Sequence, residues 1–91
     1  MTNHLLIILL IPIIAIAGQG ANLVTTFAGG GANGISPGSS DGVGTAALFN
    51  GLNGFGVDLD GTLYVTDVNN NKIRSVSPDR TVKTIAGGGQ R

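Results

Sequence analysis

Cysteine, tryptophan and glutamate are absent, and the single histidine is His4. Without cysteine no disulfide can staple the chain. Beyond His4 the usual zinc ligands, the commonest general base and a thiol nucleophile are missing together. Serine and threonine remain, with no base to activate them. The residues therefore predict no catalytic, metal or cofactor site and a protein that is not an enzyme. Charge is also scarce: 11% of residues are charged and the formal net charge is zero, against a usual charged share of roughly 25%. Lys72, Arg74, Arg80, Lys83 and Arg91 face Asp41, Asp58, Asp60, Asp67 and Asp79 with no block of one sign. Nothing here supports capture of nucleic acid or of an anionic membrane surface. Few aromatics are available for a core: Phe27, Phe49, Phe55 and Tyr64. A chain of 91 residues forms one small domain, and without disulfide or metal it is marginal on its own.

What is abundant is aliphatic at one end and glycine over the rest. Residues 5–17, LLIILLIPIIAIA, are unbroken apart from Pro12. As a helix they would span about 20 Å at 1.5 Å per residue, short of the roughly 30 Å hydrocarbon core. That length suits the apolar region of a secretory signal, and Ala15-Ile16-Ala17 supplies the small-x-small cleavage pattern before Gly18. The reading is a signal helix over residues 1–17, cleaved to release an exported chain 18–91. Because the first four residues carry no Lys or Arg, a retained anchor formed by residues 5–17 is the alternative, and the only route to a membrane.

All 16 glycines lie beyond Ala17, which marks a turn-rich β protein. Residues 23–28, LVTTFA, read as a strand ended by three glycines. Residues 29–48 read as a Gly-rich loop, with one helical turn at Thr45–Leu48 capped by Thr45. The blade-like part runs over residues 54–86. Phe55 to Val57 and Leu63 to Val65 flank Asp60-Gly61, a hairpin signal because glycine takes a positive φ at no steric cost. After a polar turn at Val68–Asn71 come strands at 72–76 and 81–86, separated by Pro78-Asp79.

An internal repeat is visible. Residues 24–31, VTTFAGGG, match residues 82–89, VKTIAGGG, at six of eight positions and an offset of 58. Periods of this size signal stacked or radial repeats, whose units cannot bury their faces alone. A strand set directly after a cleavage site suits the closing strand of a radial β assembly.

The residues Phe49-Asn50-Gly51, Gly54, Val57-Asp58, Gly61, Leu63-Tyr64-Val65, Asp67, Asn70, Ile73-Arg74, Val76, Pro78 and Val82 to Gly87 resemble the core of an NHL repeat. The lead-in Asp41-Gly42-x-Gly44-Thr45-Ala46-Ala47-x-Phe49 looks like that of extracellular, bacterial-style members. Leu52 stands where the family usually has proline, and Thr62 and Arg80 where it has glycine or asparagine. The resemblance implies an all-β fold: one four-stranded antiparallel β-propeller blade plus one extra N-terminal strand, preceded by the apolar signal helix. It also implies a binding platform for protein or glycan, as a fragment or truncated member of a propeller. The alternative is a piece of a lactonase-like or amidating-lyase-like propeller whose catalytic residues lie in other blades. Open sheet edges at residues 24–28 and 81–86 make self-association an expectation.

Three motifs read as structure. Gly29-Gly30-Gly31-Ala32-Asn33-Gly34 matches a dinucleotide fingerprint, but residues 35–40, ISPGSS, cannot form the helix that fingerprint needs. Asp58-x-Asp60-Gly61 opens like a calcium loop, yet position twelve would be Asn69, an amide. Arg74 is expected to lie flat between sheets with its stem on apolar neighbours. The candidate ligand-facing loop is Asp67, Asn69, Asn70 and Asn71, with local turn bonding as the competing role for these side chains.

Overall fold

The computed structural model describes residues 5–10, 12–18 and 24–87. The described chain is built from two antiparallel sheets. β1 (Leu5–Leu9), β2 (Ile13–Gly18) and β3 (Val24–Gly29) form a three-stranded sheet in that order. β4 (Gly42–Val43), β5 (Leu52–Val57), β6 (Leu63–Asp67), β7 (Lys72–Val76) and β8 (Thr81–Gly87) form the second, in the order β4-β8-β7-β6-β5. The all-β expectation holds, and β5 to β8 make a four-stranded antiparallel meander with its hairpin turn at Asp60-Gly61. There Asp58 O accepts from Gly61 N at 3.0 Å and Gly61 takes φ +89°.

Two expectations are corrected. Of the segment expected as a signal helix, the described residues form no helix but two strands of a hairpin, and residues 1–4 lie outside the described residues. Pro12 supplies no amide donor for a continuous helix, and Ile13, Ile14 and Ile16 are β-branched, so the chain turns between Leu10 and Ile13 instead. Leu10 N donates to Ile13 O across that turn at 2.9 Å. The helical turn expected at Thr45–Leu48 is a 3₁₀ turn at Gly44–Ala46, preceded by Val43, with no side-chain cap. Thr45 thus lies inside the turn rather than before it.

Strand for strand, the two sheets share a register. β6 pairs β7 through Leu63–Val76, Tyr64–Ser75, Val65–Arg74 and Thr66–Ile73. β1 pairs β2 through Leu6–Ala17, Ile7–Ile16, Ile8–Ala15 and Leu9–Ile14 in the same sequence. β7 then pairs β8 through Val76–Val82, Ser75–Lys83 and Arg74–Thr84, skips Ile85, and resumes at Ile73–Ala86 and Lys72–Gly87. β2 pairs β3 through Ala17–Val24, Ile16–Thr25 and Ala15–Thr26, skips Phe27, and resumes at Ile14–Ala28 and Ile13–Gly29. Even the bulge recurs at the equivalent residue. Each sheet then ends this strand on a glycine with positive φ, +94° at Gly29 and +80° at Gly87. A Cβ on Gly29 would strike the carbonyl oxygen of Pro12, and one on Gly87 that of Asn71, each being the residue just before the partner strand. Close backbone approach therefore requires glycine at both places.

The core lies where the sheets meet. Ile14 and Ala28 from one side join Leu52, Leu63, Val65, Val76 and Val82 from the other, with Phe49 and Ala47 from the connecting loop. Burial of a side chain of the Val, Ile or Phe class contributes about 1.5–3 kcal/mol. A gap of about 110 Å³ remains between Ile7, Ile14, Ile16 and Phe27 on one sheet and Leu63 and Val76 on the other. Along β6 burial alternates strictly, with Leu63, Val65 and Asp67 inward and Tyr64 and Thr66 outward, as a sheet with one covered face requires.

Candidate functional site

The end of the β6–β7 hairpin gathers Asp67, Asn69, Asn70 and Asn71, and the structure divides their roles. Asp67 closes β6 with its side chain fully buried. One carboxylate oxygen accepts from Asn50 N at 2.7 Å; the other accepts from Asn70 Nδ2 and from Arg74 Nη1, each at 2.7 Å. Asp67 is thus committed inside the fold. Asn70 is spent the same way, its amide also donating to Gly38 O at 2.6 Å. Asn69 is exposed and donates to Asn50 Oδ1 at 3.3 Å. Asn71 follows the 3₁₀ turn Val68–Asn70 at φ +55°, a left-handed position that asparagine tolerates better than most residues.

Arg74 is the hub that ties these groups to the loop before the sheet. It lies mid-strand on β7, faces inward and is fully buried. Nη1 donates to Asp67 and to Leu48 O at 2.9 Å; Nη2 donates to Ser40 O and to Asp41 Oδ1, both at 2.9 Å. The guanidinium stands 4.9 Å from the Phe49 ring centre, a cation–π distance. The expected flat packing on apolar neighbours is therefore accompanied by two ion pairs. Arg74 Nε is buried without a hydrogen-bond partner among the described residues. Burial opposes ionisation of Asp41, but hydrogen bonds from Thr84 and Arg74, with the Arg74 charge, outweigh it and hold its carboxyl below the ordinary value. Sequence reading missed the Asp67–Arg74 pair. With Asp67 opposite Lys72 and Val65 opposite Arg74, the two charges become diagonal neighbours on one face. Placing that hairpin register was the available signal.

Beside this network a shallow hollow of about 330 Å³ opens against Asp67, Val68, Asn71, Lys72, Ile73 and Ala86. Lys72 Nζ donates to Ser39 O at 3.0 Å at its rim. The lining of the hollow is mostly apolar. The remaining acids serve turns. Asp58 accepts from Leu59 N and from the Tyr64 hydroxyl, and Asp60 accepts from Thr62 N at 3.0 Å. That last bond, from the Thr62 backbone amide, lowers the Asp60 carboxyl, while burial and the nearby Asp58 and Asp60 charges raise the Tyr64 hydroxyl. Among the described residues no three His, Cys, Asp or Glu side chains converge on one point. No helix among them is long and apolar enough to cross a membrane. Neither a scan against protein-family models nor a search of curated proteins returned a match.

Proposed function

We propose that this chain is an exported, non-enzymatic interaction module of the NHL-type β-propeller kind, recognising protein or glycan through loops at the strand ends. The observation that carries this reading is the shared register of the two sheets, bulge and terminal glycine included, with one sheet stacked face-on against the other. Radial stacking of near-identical sheets is how propellers hide faces that a lone sheet would leave wet. On this reading residues 5–29 supply three strands of one blade and residues 52–87 a complete one. The apolar segment then acts twice, as an export address while the chain is unfolded and as blade strands if it is retained. The acids that an enzymatic relative would need are used inside turns and the Arg74 network, which favours binding over chemistry.

The architecture is tested by hydrogen exchange on the full chain. Amides of β2 should be protected on the same scale as those of β6 and β7; free exchange over residues 13–18 would remove the two-blade reading. The function is tested by probing glycan and peptide arrays with the labelled full chain. Saturable binding weakened by Asn69→Ala with Lys72→Ala supports the platform, whereas steady hydrolysis of lactone substrates would replace it with the enzymatic alternative. Fusing residues 1–17 to alkaline phosphatase should give activity only outside the cytoplasm.

A further inference from the structure

The first sheet docks on the second through one face, and the shared register says which residues of the second sheet hold the same places. Ile7 pairs with Ile16 as Tyr64 pairs with Ser75, and Leu9 with Ile14 as Thr66 with Ile73. Phe27 and Ile85 are the residues skipped at the two bulges. Ile14 is fully buried in the core, and Ile7 and Phe27 pack against it. Their counterparts Tyr64, Ile73 and Ile85 are 37%, 42% and 52% exposed. The chain therefore carries one docking face twice and uses it once among the described residues.

We infer that the Tyr64–Ile73–Ile85 face is a self-docking surface, and that its occupant is the amino-terminal sheet of a second copy of this chain. The receiving surface within one chain includes Leu63, Val65 and Val76, and the residue holding the register place of Val65 in the amino-terminal sheet is Ile8, half-buried, opposite Ala15. Copies then stack head to tail, repeating between chains the contact already made within one. Lys83 shares the docking face, at the place of Thr25; its stem can cover apolar surface while its ammonium stays in water. A heterologous contact of this kind closes into a ring when its rotation allows. With two blades per chain and roughly four to eight per propeller, the closed ring holds about two to four copies. The inference rests on the two-blade reading above.

The test uses the full chain at about 100 µM, a concentration at which even a weak contact of ~10 µM Kd is mostly formed. Light scattering after gel filtration should give a discrete mass of two to four chains. Tyr64→Lys with Ile73→Lys should reduce it to a single chain while the β circular-dichroism signal is kept, since both positions are exposed. Because the chain lacks cysteine, Ile8→Cys with Ile73→Cys and a short bismaleimide reads the geometry directly. Linked species up to the size of the ring, a dimer or larger, are expected from the double variant and none from either single one. A wild-type chain that runs as a monomer, or a double variant that links no more than the single ones, overturns the inference. If hydrogen exchange still protects β2 in that monomer, the two-blade reading survives and only the docking falls.

Discussion

The two sheets have the same pairing scheme and opposite chemistry. Where β7 buries Arg74, β2 has Ala15, and where β6 ends in buried Asp67, the chain after β1 continues with half-exposed Leu10. The second sheet holds a loop of mostly small residues, 38–50, in place through Arg74, Asp67 and Asn70. The first sheet has no titratable side chain between residues 5 and 18 and meets the core through apolar side chains. Register, then, does not depend on the polar network. In the first sheet the same register accompanies aliphatic packing and close backbone approach at one glycine. The network does something else: it fixes the segment that carries Ala47 and Phe49 into the core.

The sharpest way to break this comparison is Arg74→Met. It strands the buried Asp67 carboxylate and should cost about 3–5 kcal/mol, the range for removing one partner of a buried pair. In a domain this small that loss unfolds most of the chain, measurable by urea denaturation. A mild effect would mean that both sheets are held by the same apolar forces. Next come the paired glycines. Gly29→Ala and Gly87→Ala each force a left-handed residue against a carbonyl oxygen, costing about 1–3 kcal/mol. The equivalence of the sheets predicts similar losses in thermal unfolding for the two variants. A cost at Gly87 with none at Gly29 would show that the amino-terminal sheet contributes little stability.

Arg80 sharpens the comparison more gently. It occupies φ +74° in the turn where Ser77 O accepts from Arg80 N at 2.8 Å, the place that Gly61 fills in the turn between β5 and β6. Its guanidinium lies 5.1 Å from the Phe27 ring centre and so links the sheets. Arg80→Gly relieves about 1–2 kcal/mol of backbone strain and forfeits about 0.5–1 kcal/mol of cation–π contact. The melting temperature should rise by a few degrees at most. The smallest effect belongs to Asp79 beside it. The Ser77 hydroxyl, then Thr81, hold its carboxyl down to about 2. A carboxyl depressed from its ordinary value near 4 contributes stability that is complete above that value and lost as pH falls through about 2. Asp79→Asn should flatten the acid limb of the unfolding curve in that window. No such limb arises from residues 5–18.

Much of the second sheet was legible before the structure. β-branched and aromatic runs bounded by Asp60-Gly61 and Pro78-Asp79 placed β7 and β8 to within a residue and the start of β6, because turn chemistry is local. The repeat between residues 24–31 and 82–89 was legible as well, and it pointed to the equivalent strands β3 and β8. Residues 5–18 were not. A uniformly apolar run shows neither a period of two nor one of 3.6, so only length and composition could be weighed, and both favoured a signal helix. The partner that decides the matter, the face carrying Leu63, Val65 and Val76, lies more than forty residues along the chain. Asp67 was misjudged for a related reason. An acid at a strand end looks like a loop group until a buried arginine is found on the neighbouring strand.

One feature of β2 has a temporal consequence. Ala17 is hydrogen-bonded in sheet on both flanks, opposite Leu6 on β1 and Val24 on β3. A peptidase grips its target as an added strand and needs a vacant edge to do so. On the export reading proposed above, scission after Ala17 would have to precede collapse of the chain, because β2 lies between β1 and β3 and offers no vacant edge. On that same reading, the rate of maturation against the rate of sheet formation would set the share of trimmed and whole chains.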